Sequence, residues 1–306
     1  MDTLRAYFQK NYWYRIFLST ETAIEFLAAI GFFWLLTDIS SFLFEDWKTK
    51  LQELWTYFFC ISGIYTLWVR RPIIAVCERL NNSDIFIEIR IADILSLPAA
   101  KVISTNTTFD TEVNETLISK QSLQGAFTKE FYDRVDHLDT DLAAALQLET
   151  AVTTRPSLVG GKQEKYSIGT VAKISPKGKT TYLVAISELN ENGVAESNFE
   201  NIKQALACLW VFVSSKGTYE PLSIPIIGTG HGRINVPRDV VLREIVKSFV
   251  AASSERKFTS KLTIVIAPND YNIHGLDIHE LSEFLRHICK YTEINSLRQG
   301  SGTPIG

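Results

Sequence analysis

The sequence contains few cysteines and no strong excess of charge of either sign. Its 306 residues include four cysteines, none of them in the CxxC spacing of a zinc or redox site. We therefore expect small, buried, unpaired thiols in a reducing compartment at Cys60, Cys77, Cys208 and Cys289. The formal net charge of −3 and the lack of a basic block give no indication of a nucleic-acid partner.

Two long apolar runs lie near the start of the chain. They are IFLSTETAIEFLAAIGFFWLLTDISSFLF at 16–44 and LWTYFFCISGIYTLWV at 54–69. A membrane-spanning helix needs about 20 apolar residues, which the second run reaches only with help from its flanking residues. A cleavable signal peptide is disfavoured because no A-x-A site follows, and two core helices of a soluble bundle are disfavoured because few polar residues interrupt either run. The sequence predicts a membrane region at 1–79 with two transmembrane helices, at about 18–43 and 51–70.

Positive residues flank this predicted hairpin on the same side. Arg5, Lys10 and Arg15 precede the first helix, and Arg70, Arg71 and Arg79 follow the second. Because positive residues favour the cytoplasm, both termini are predicted to be cytoplasmic.

Three acidic residues interrupt the first apolar run. Glu21 and Glu25 are four residues apart and share one helix face, and Asp38 follows further on. At least one of these carboxylates would lie near hydrocarbon depth, at a cost of up to about 3 kcal/mol. Such an acid either contacts another subunit or lines a pore, or it is a passenger near a helix end. For Glu25 we favour the pore or subunit contact, because intramembrane acids are rare.

From residue 84 onward, short β-branched runs alternate with amphipathic segments. Strands are predicted in DIFIEIRIADI, AAKVISTN, LSIPIIG and KLTIVIAP, with two more around the turn Pro176-Lys177-Gly178. Helices are predicted in SLQGAFTKEFYDRV, LDTDLAAALQL, NFENIKQALACLWVFVSS, RDVVLREIVKSFVAAS and GLDIHELSEFLRHICKY. This alternation predicts an α/β sandwich at 80–292, followed by a loose C-terminal tail at 293–306.

A glycine-rich turn joins one of these strands to a helix. The turn Gly228-Thr229-Gly230-His231-Gly232 follows LSIPII, and Arg233 comes directly after it. Glycines at the end of a buried strand let backbone N–H groups approach an anion, and the next helix N-terminus adds positive potential. The pattern suits a diphosphate, although a tight strand-to-helix turn alone would also need glycine.

Taken in order, these segments resemble the macro domain, an ADP-ribose-binding, three-layer α/β sandwich, over roughly 84–291. The resemblance implies that Asp93 holds the adenine amino group and that Asn106 and Thr107 stand at the turn near the distal ribose. It implies that Gly125 lies in a first glycine-rich loop, that the turn at 228–232 binds the diphosphate, and that Tyr271 lies near the nucleoside. Each residue also has an ordinary interpretation, such as a helix cap at Asp93 or a turn at Asn106.

The sequence departs from the family where hydrolysis of ADP-ribosyl groups would occur. The usual pair of asparagines is missing from the turn, and no evident general base replaces it. His231 could titrate near neutral pH, but a ligand contact or an exposed turn residue is the preferred interpretation. We therefore predict binding without turnover, with no catalytic residue, no metal and no cofactor.

The combination of a membrane hairpin with this domain, and with the motifs STNTTFDT, YSIGTVA and GTGHGR, is similar to the membrane effectors of type II Thoeris antiphage systems. That resemblance implies a partner TIR-domain protein that makes histidine-linked ADP-ribose from NAD. It implies a multi-pass protein of the bacterial inner membrane that assembles as a homo-oligomer, disrupts the lipid bilayer and causes abortive infection. A ligand with a group beyond the distal ribose would need an extra subsite, for which the candidates are Asn106, Lys162, His231 and Arg233.

Two other functions remain open at this point. The chain could be a membrane-tethered ADP-ribosylhydrolase, or a macro-fold scaffold that binds no nucleotide.

Overall fold

The structure is a computed structural model that describes residues 17, 19–44, 53–71, 73–114, 117–154, 161–190, 194–228, 234–268, 270–271 and 276–292. The chain divides into two compact units, Met1–Ile74 and Ala75–Gly306.

The first unit contains two apolar helices, α1 (Thr20–Leu43) and α2 (Trp55–Val69). Ser19 is the N-cap residue of helix α1, and its side chain accepts a hydrogen bond from the Thr22 N–H. It is long and apolar enough to cross a membrane, whereas α2 is apolar but has only 15 residues.

Aromatic rings join the two helices of this unit in antiparallel order. The Phe33 and Phe58 rings stack at 5.1 Å, and the Trp34 and Trp55 rings meet edge to face at 6.0 Å. Most of the other large apolar side chains remain exposed, including Ile24, Leu27, Phe42, Ile64 and Trp68. An exposed apolar surface of this size marks a site of interaction with lipid or with another protein.

The second unit is built on one mixed β-sheet. Its strands are β1 (Ala75–Arg79), β2 (Phe86–Ile91), β3 (Ala100–Asn106), β6 (Val171–Ile174), β7 (Thr181–Leu189), β8 (Ala195–Glu196), β9 (Leu222–Pro225) and β10 (Lys261–Ile266). The order is β1-β2-β10-β9-β3-β7-β6, with β8 paired to β7, while β4 (Thr153–Thr154) and β5 (Glu164–Lys165) form a separate small hairpin. Strands β2, β10, β9, β3 and β7 run parallel, and β1 and β6 are antiparallel to their neighbours.

Helices cover both faces of the sheet and make three layers. The helices are α3 (Leu123–Phe131), α4 (Val135–Leu146), α5 (Phe199–Lys216), α6 (Arg238–Glu255) and α7 (Ile278–Tyr291). Phe127 of α3 and Leu138 of α4 pack with Leu183 on one face. On the other face, the Trp210 ring of α5 meets the Phe249 ring of α6 at 5.4 Å. This arrangement confirms the predicted α/β sandwich.

The sheet contains two strands that the sequence pattern did not reveal, the two-residue β8 and the longer β1. Strand β1 pairs with β2 from Ala75↔Arg90 to Arg79↔Phe86, so the sheet begins before the boundary predicted at residue 80. The strand has five residues, none of them is buried, and it ends in the charged pair Glu78-Arg79, so its own pattern does not mark it as a strand.

The prediction of buried thiols is wrong for three of the four cysteines. Cys60, Cys77 and Cys208 are exposed, because each lies on the outward side of its helix or strand, and only Cys289 is buried. Burial raises the pKa of the Cys289 thiol to about 12, which keeps it protonated.

Helix α5 offers a direct test of the packing. Leu209 is 1% exposed and Val211 is 68% exposed on the same helix. Leu209→Ala should lower the free energy of unfolding by about 2–5 kcal/mol because it leaves a cavity. Val211→Ala should change it by less than about 0.5 kcal/mol. Chemical denaturation of the full chain in detergent micelles measures both, and equal effects would contradict the assigned helix face.

Candidate ligand edge of the sheet

The candidate site lies at the edge of the sheet where the parallel strands end. The five parallel strands direct their carboxyl ends to this edge, where α/β proteins bind ligands. Two backbone hydrogen bonds join the strand ends: the Ala92 N–H donates to the Ile266 carbonyl at 3.1 Å, and the Thr107 N–H donates to the Ser187 carbonyl at 2.8 Å. The residues predicted after β2, β3, β9 and β10 therefore follow strands that end at one edge.

Asp93 stands in the turn after β2 and is exposed. Its Oδ1 accepts a hydrogen bond from the Leu95 N–H at 3.0 Å and caps a short 3₁₀ turn, Ile94–Ser96. This is the ordinary role that the sequence allowed for it. The cap holds the carboxylate in a defined position, and the other carboxylate oxygen is left to accept a hydrogen bond from a ligand.

Asn106, at the end of β3, has its amide engaged inside the protein. Its Nδ2 donates to Asp110 Oδ2 at 2.9 Å, and its Oδ1 accepts from the Asp110 N–H and the Thr108 hydroxyl, both at 3.1 Å. Asn106 is 5% exposed, and Thr107 beside it is 1% exposed. The side chain therefore shapes this turn, and a direct contact with a ligand would require it to break these bonds.

Asp110 is a residue of this site that sequence reasoning missed. It is 1% exposed and accepts from Asn106, from the Thr108 hydroxyl at 2.5 Å, and from the Lys162 N–H at 2.7 Å. Its carbonyl accepts from Gln124 Nε2 at 2.8 Å, which joins the turn to helix α3. The signal in the sequence was the polar run STNTTFDT, in which Asp110 follows Asn106 by four residues.

The Lys162 side chain extends this network to helix α4. Its Nζ lies 2.7 Å from Asp139 Oδ1, which also accepts from the Thr111 hydroxyl at 2.7 Å. Burial raises the pKa of Asp139, yet the hydrogen bonds from Lys162 and Thr111 hold it below its usual value. This pair contributes stability above pH about 4, and the contribution is lost as the pH falls through the lowered pKa.

Gly125 does not lie in an open loop. It sits in the first turn of α3, and its N–H donates to the Ser122 hydroxyl at 3.0 Å. A Cβ at this position would collide with the Ser119 carbonyl oxygen. The glycine therefore lets the chain approach the helix closely, and its N–H is already used as part of the helix cap.

Gly228 begins the predicted diphosphate turn with a positive φ of 76°. This backbone conformation favours glycine, and a Cβ here would also displace the ends of the Ile234 and Ile202 side chains. The rest of the turn, with Thr229, Gly230, His231, Gly232 and Arg233, lies outside the described residues.

Tyr271 follows β10 at the same edge and is partly buried, and its N–H donates to the Ala267 carbonyl at 3.0 Å. Beside it, Asp270 Oδ2 lies 2.6 Å from Arg238 Nη1 at the start of α6. Arg238 is largely buried, so this ion pair ties the turn after β10 to the segment after the glycine turn. Sequence reasoning missed the pair because its members are far apart in the chain.

The acids of the apolar helices occupy different surroundings. Glu21 Oε2 accepts from Arg70 Nη2 at 2.5 Å, which pairs the start of α1 with the end of α2. Glu25 is partly exposed and Asp38 is exposed. Within the described residues, neither of these two side chains has a hydrogen-bond or ion-pair partner.

The described residues were compared with the side-chain groups that bind metal ions. No group of three or more histidine, cysteine, aspartate or glutamate side chains there could hold a metal ion.

Comparison with known proteins places these features in a family. The family model described as "Thoeris protein ThsA, Macro domain" matches residues 87–267. The Thoeris protein ThsA of Bacillus amyloliquefaciens (strain Y2) is 27% identical in an alignment of 215 residues, covering 67% of this chain and 69% of that protein.

Solved macrodomains are also similar in structure. The Oceanobacillus iheyensis macrodomain with ADP aligns with a TM-score of 0.47 and 14% identity, over 68% of this chain and 97% of that one. The Trypanosoma brucei macrodomain in complex with ADP-ribose aligns with a TM-score of 0.42 and 10% identity, over 63% of this chain and 71% of that one.

The buried Asp110 network yields a test. Asp110→Asn replaces one acceptor oxygen with a donor, which must then face the Lys162 N–H or the donors on Asn106 and Thr108. The free energy of unfolding should fall by about 1–3 kcal/mol. Hydrogen exchange of the Lys162 amide should also accelerate. Asp136→Asn is the matched control, because its exposed pair with Arg134 should contribute less than about 1 kcal/mol. If Asp110→Asn is as stable as the parent and exchanges at the same rate, the network is not structural.

Proposed function

Because the chain belongs to the Thoeris ThsA macro-domain family, we propose that it is an antiphage effector that senses histidine-linked ADP-ribose and then disrupts the inner membrane. The family membership confirms the macro-domain fold and the Thoeris resemblance predicted from the sequence. In this proposal a TIR-domain partner makes the signal, and the chain is a receptor for it.

The observation that supports the proposal is that the predicted ligand residues follow strands that end at one edge of the sheet. Asp93, Asn106, Gly228 and Tyr271 follow four strands that run in the same direction. An extended nucleotide diphosphate can contact several such strand ends at once. The glycine turn at 228–232 supplies the diphosphate contact, Asp93 the adenine contact and Tyr271 the nucleoside contact.

The turn at 106–110 favours a receptor over a hydrolase. Hydrolysis needs a group that activates water, and Asp110 is the buried carboxylate at the right edge of the sheet. Both of its oxygens already accept hydrogen bonds from protein donors, and it is 1% exposed. A carboxylate held in this way organises the backbone and is poorly placed to take a proton from water.

The first unit, which contains the two apolar helices, is the part of the chain that would damage the membrane. Its two helices expose apolar side chains over most of their surface, which suits a multi-pass arrangement in lipid with both termini cytoplasmic. Two short helices cannot enclose a pore, so membrane damage requires a homo-oligomer. A signal that binds one assembly state more tightly than another would shift the population toward that state. Abortive infection is the expected consequence.

The adenine contact can be tested with a pair of substitutions at Asp93. Asp93→Ala removes the charged acceptor and should weaken binding of ADP-ribose by about 1.5–3 kcal/mol, or roughly 10- to 150-fold. Isothermal titration calorimetry of the full chain in detergent micelles measures the change.

The control separates binding from capping. Asp93→Ser keeps a side-chain oxygen for the Leu95 N–H, so it should retain stability, but it lacks the second, charged oxygen proposed to accept from the adenine amine. Both variants should therefore bind weakly, while only Asp93→Ala loses the cap. Parent-like affinity in Asp93→Ser would remove Asp93 from the ligand site.

The proposed disruption of the membrane can be tested with a substitution at Glu25. Glu25→Leu removes a carboxylate from an apolar helix and should improve insertion by up to about 3 kcal/mol. If the carboxylate lines an assembled pore, the same change should reduce dye leakage from vesicles that hold the full chain and histidine-linked ADP-ribose.

Ile24→Leu is the matched control, because it exchanges one exposed apolar side chain for another on the same helix. It should leave both insertion and leakage unchanged. Leakage by Glu25→Leu at the parent rate, with normal insertion, would show that the acid is a passenger.

A further inference from the structure

On one face, strands β1 and β2 and the start of β10 lie outside the cover of the described helices. Helix α7 contacts β1 from the other face, where Arg286 Nε lies 3.4 Å from Glu78 Oε1. Strands β1, β2 and β10 pair in register, with Cys77 opposite Glu88 and Thr263, and with Arg79 opposite Phe86 and Lys261. Alternate residues of a strand point to the same face, so these side chains share one surface. We call it the cationic face, formed by Cys77, Arg79, Phe86, Glu88, Arg90 and Lys261.

The acid on the cationic face is buried beneath its cations. Glu88 is 4% exposed and pairs with Arg90 Nη2 at 2.6 Å and with Lys261 Nζ at 2.8 Å. The side chains of Arg90 and Lys261 remain 37% and 35% exposed. Although burial raises the pKa of Glu88, these two cations hold it below its usual value, so the carboxylate stays charged.

The outward charge of the face is therefore positive. Two cations share one buried carboxylate, and Arg79 adds a third positive charge. Arg79 Nε donates to the Ser83 carbonyl at 2.6 Å, and its guanidinium makes no ion pair within 4.0 Å among the described residues. Asp84 also interacts electrostatically with Arg79, but its carboxylate is itself paired with Lys257, so the face keeps its positive charge. Phe86 contributes an aromatic ring that is 42% exposed.

The chain connects this face closely to the apolar helices. Five residues, 70–74, separate the end of α2 from the start of β1, and they include Arg70 and Arg71. A connection of this length reaches at most about 18 Å. A bilayer that holds α2 would therefore lie within reach of β1. Lysine and arginine near such a surface are attracted to anionic lipid, and aromatic rings favour the headgroup region.

We propose that the cationic face docks on the anionic phospholipid headgroups of the bilayer that holds the apolar helices. This inference rests on the membrane insertion in the proposed function. A second copy of the same face is a poor occupant, because a two-fold contact would bring its positive charges together. Strands β2 and β10 run from this face to the turns that hold Asp93 and Tyr271, so docking would restrain the ligand edge through two strands.

Native cysteines provide the test. Cys77 lies on the cationic face and Cys208 on helix α5 at the other face of the sheet, and both are exposed. The full chain is inserted into vesicles of phosphatidylcholine alone or with phosphatidylserine, without signal nucleotide. A membrane-impermeant maleimide then labels the thiols, and mass spectrometry measures the rate at each site. Flotation of the vesicles establishes insertion separately.

Docking predicts that phosphatidylserine slows labelling of Cys77 about fivefold or more and leaves Cys208 unchanged. Arg79→Gln removes one outward cation and should restore Cys77 labelling by about fivefold in the anionic vesicles. Lys203→Gln, which removes a cation from α5, should have no such effect.

Three outcomes would overturn the proposal. Equal Cys77 rates in both kinds of vesicle, with normal flotation, would contradict docking alone. Protection in both kinds that grows with protein density would show contact between copies. Failure to float would contradict membrane insertion, and with it both proposals.

Discussion

The parallel direction of five adjacent strands is the constraint on which the candidate site depends. Because β2, β10, β9, β3 and β7 all end at one edge, turns that are far apart in the sequence follow strands with a common end. Parallel pairing requires crossover segments, and these form the helical layers that pack on the two faces of the sheet. The three-layer architecture and the candidate ligand edge of the sheet therefore both follow from the parallel direction of the strands.

The turn after β3 shows how this edge is made rigid. Asn106 and Asp110 exchange hydrogen bonds, and Asp110 also holds the backbone of Lys162, which comes from a distant part of the chain. A buried polar group is costly unless its hydrogen bonds are satisfied, so this network favours one arrangement of the turn. Such rigidity supports the proposal that the chain is a receptor that distinguishes one nucleotide from another. It is less suited to an active site whose carboxylate must accept a proton.

The strands and helices were predictable because their signals are local. Strands β6 and β7 flank Pro176-Lys177-Gly178 as the turn chemistry indicates, and β9 and β10 are short apolar runs of the kind that is buried in a parallel sheet. Strand β1 was not predictable, because its partner β2 defines it more than its own pattern does. The order of the strands in the sheet likewise depends on contacts between distant segments.

The candidate site was predictable in its position and less so in its contacts. The placement of Asp93, Gly228 and Tyr271 follows from strand ends, which sequence patterns reveal. The hydrogen-bond partners of Asn106 could not be predicted in this way, because they depend on a tight turn in which the buried Phe109 has a φ of +50°. Glycine is required at 125 by the nearby Ser119 carbonyl and favoured at 228 by a positive φ. A sequence motif cannot distinguish either cause from a need to approach phosphate.

The central claim is that this sheet edge receives an ADP-ribose derivative. Isothermal titration calorimetry of the full chain in detergent micelles, with ADP-ribose and with its histidine conjugate, tests it most directly. The account predicts saturable binding of both nucleotides, with the histidine conjugate bound more tightly and neither nucleotide consumed. Absence of binding by either one, from protein that is folded by circular dichroism, would contradict it.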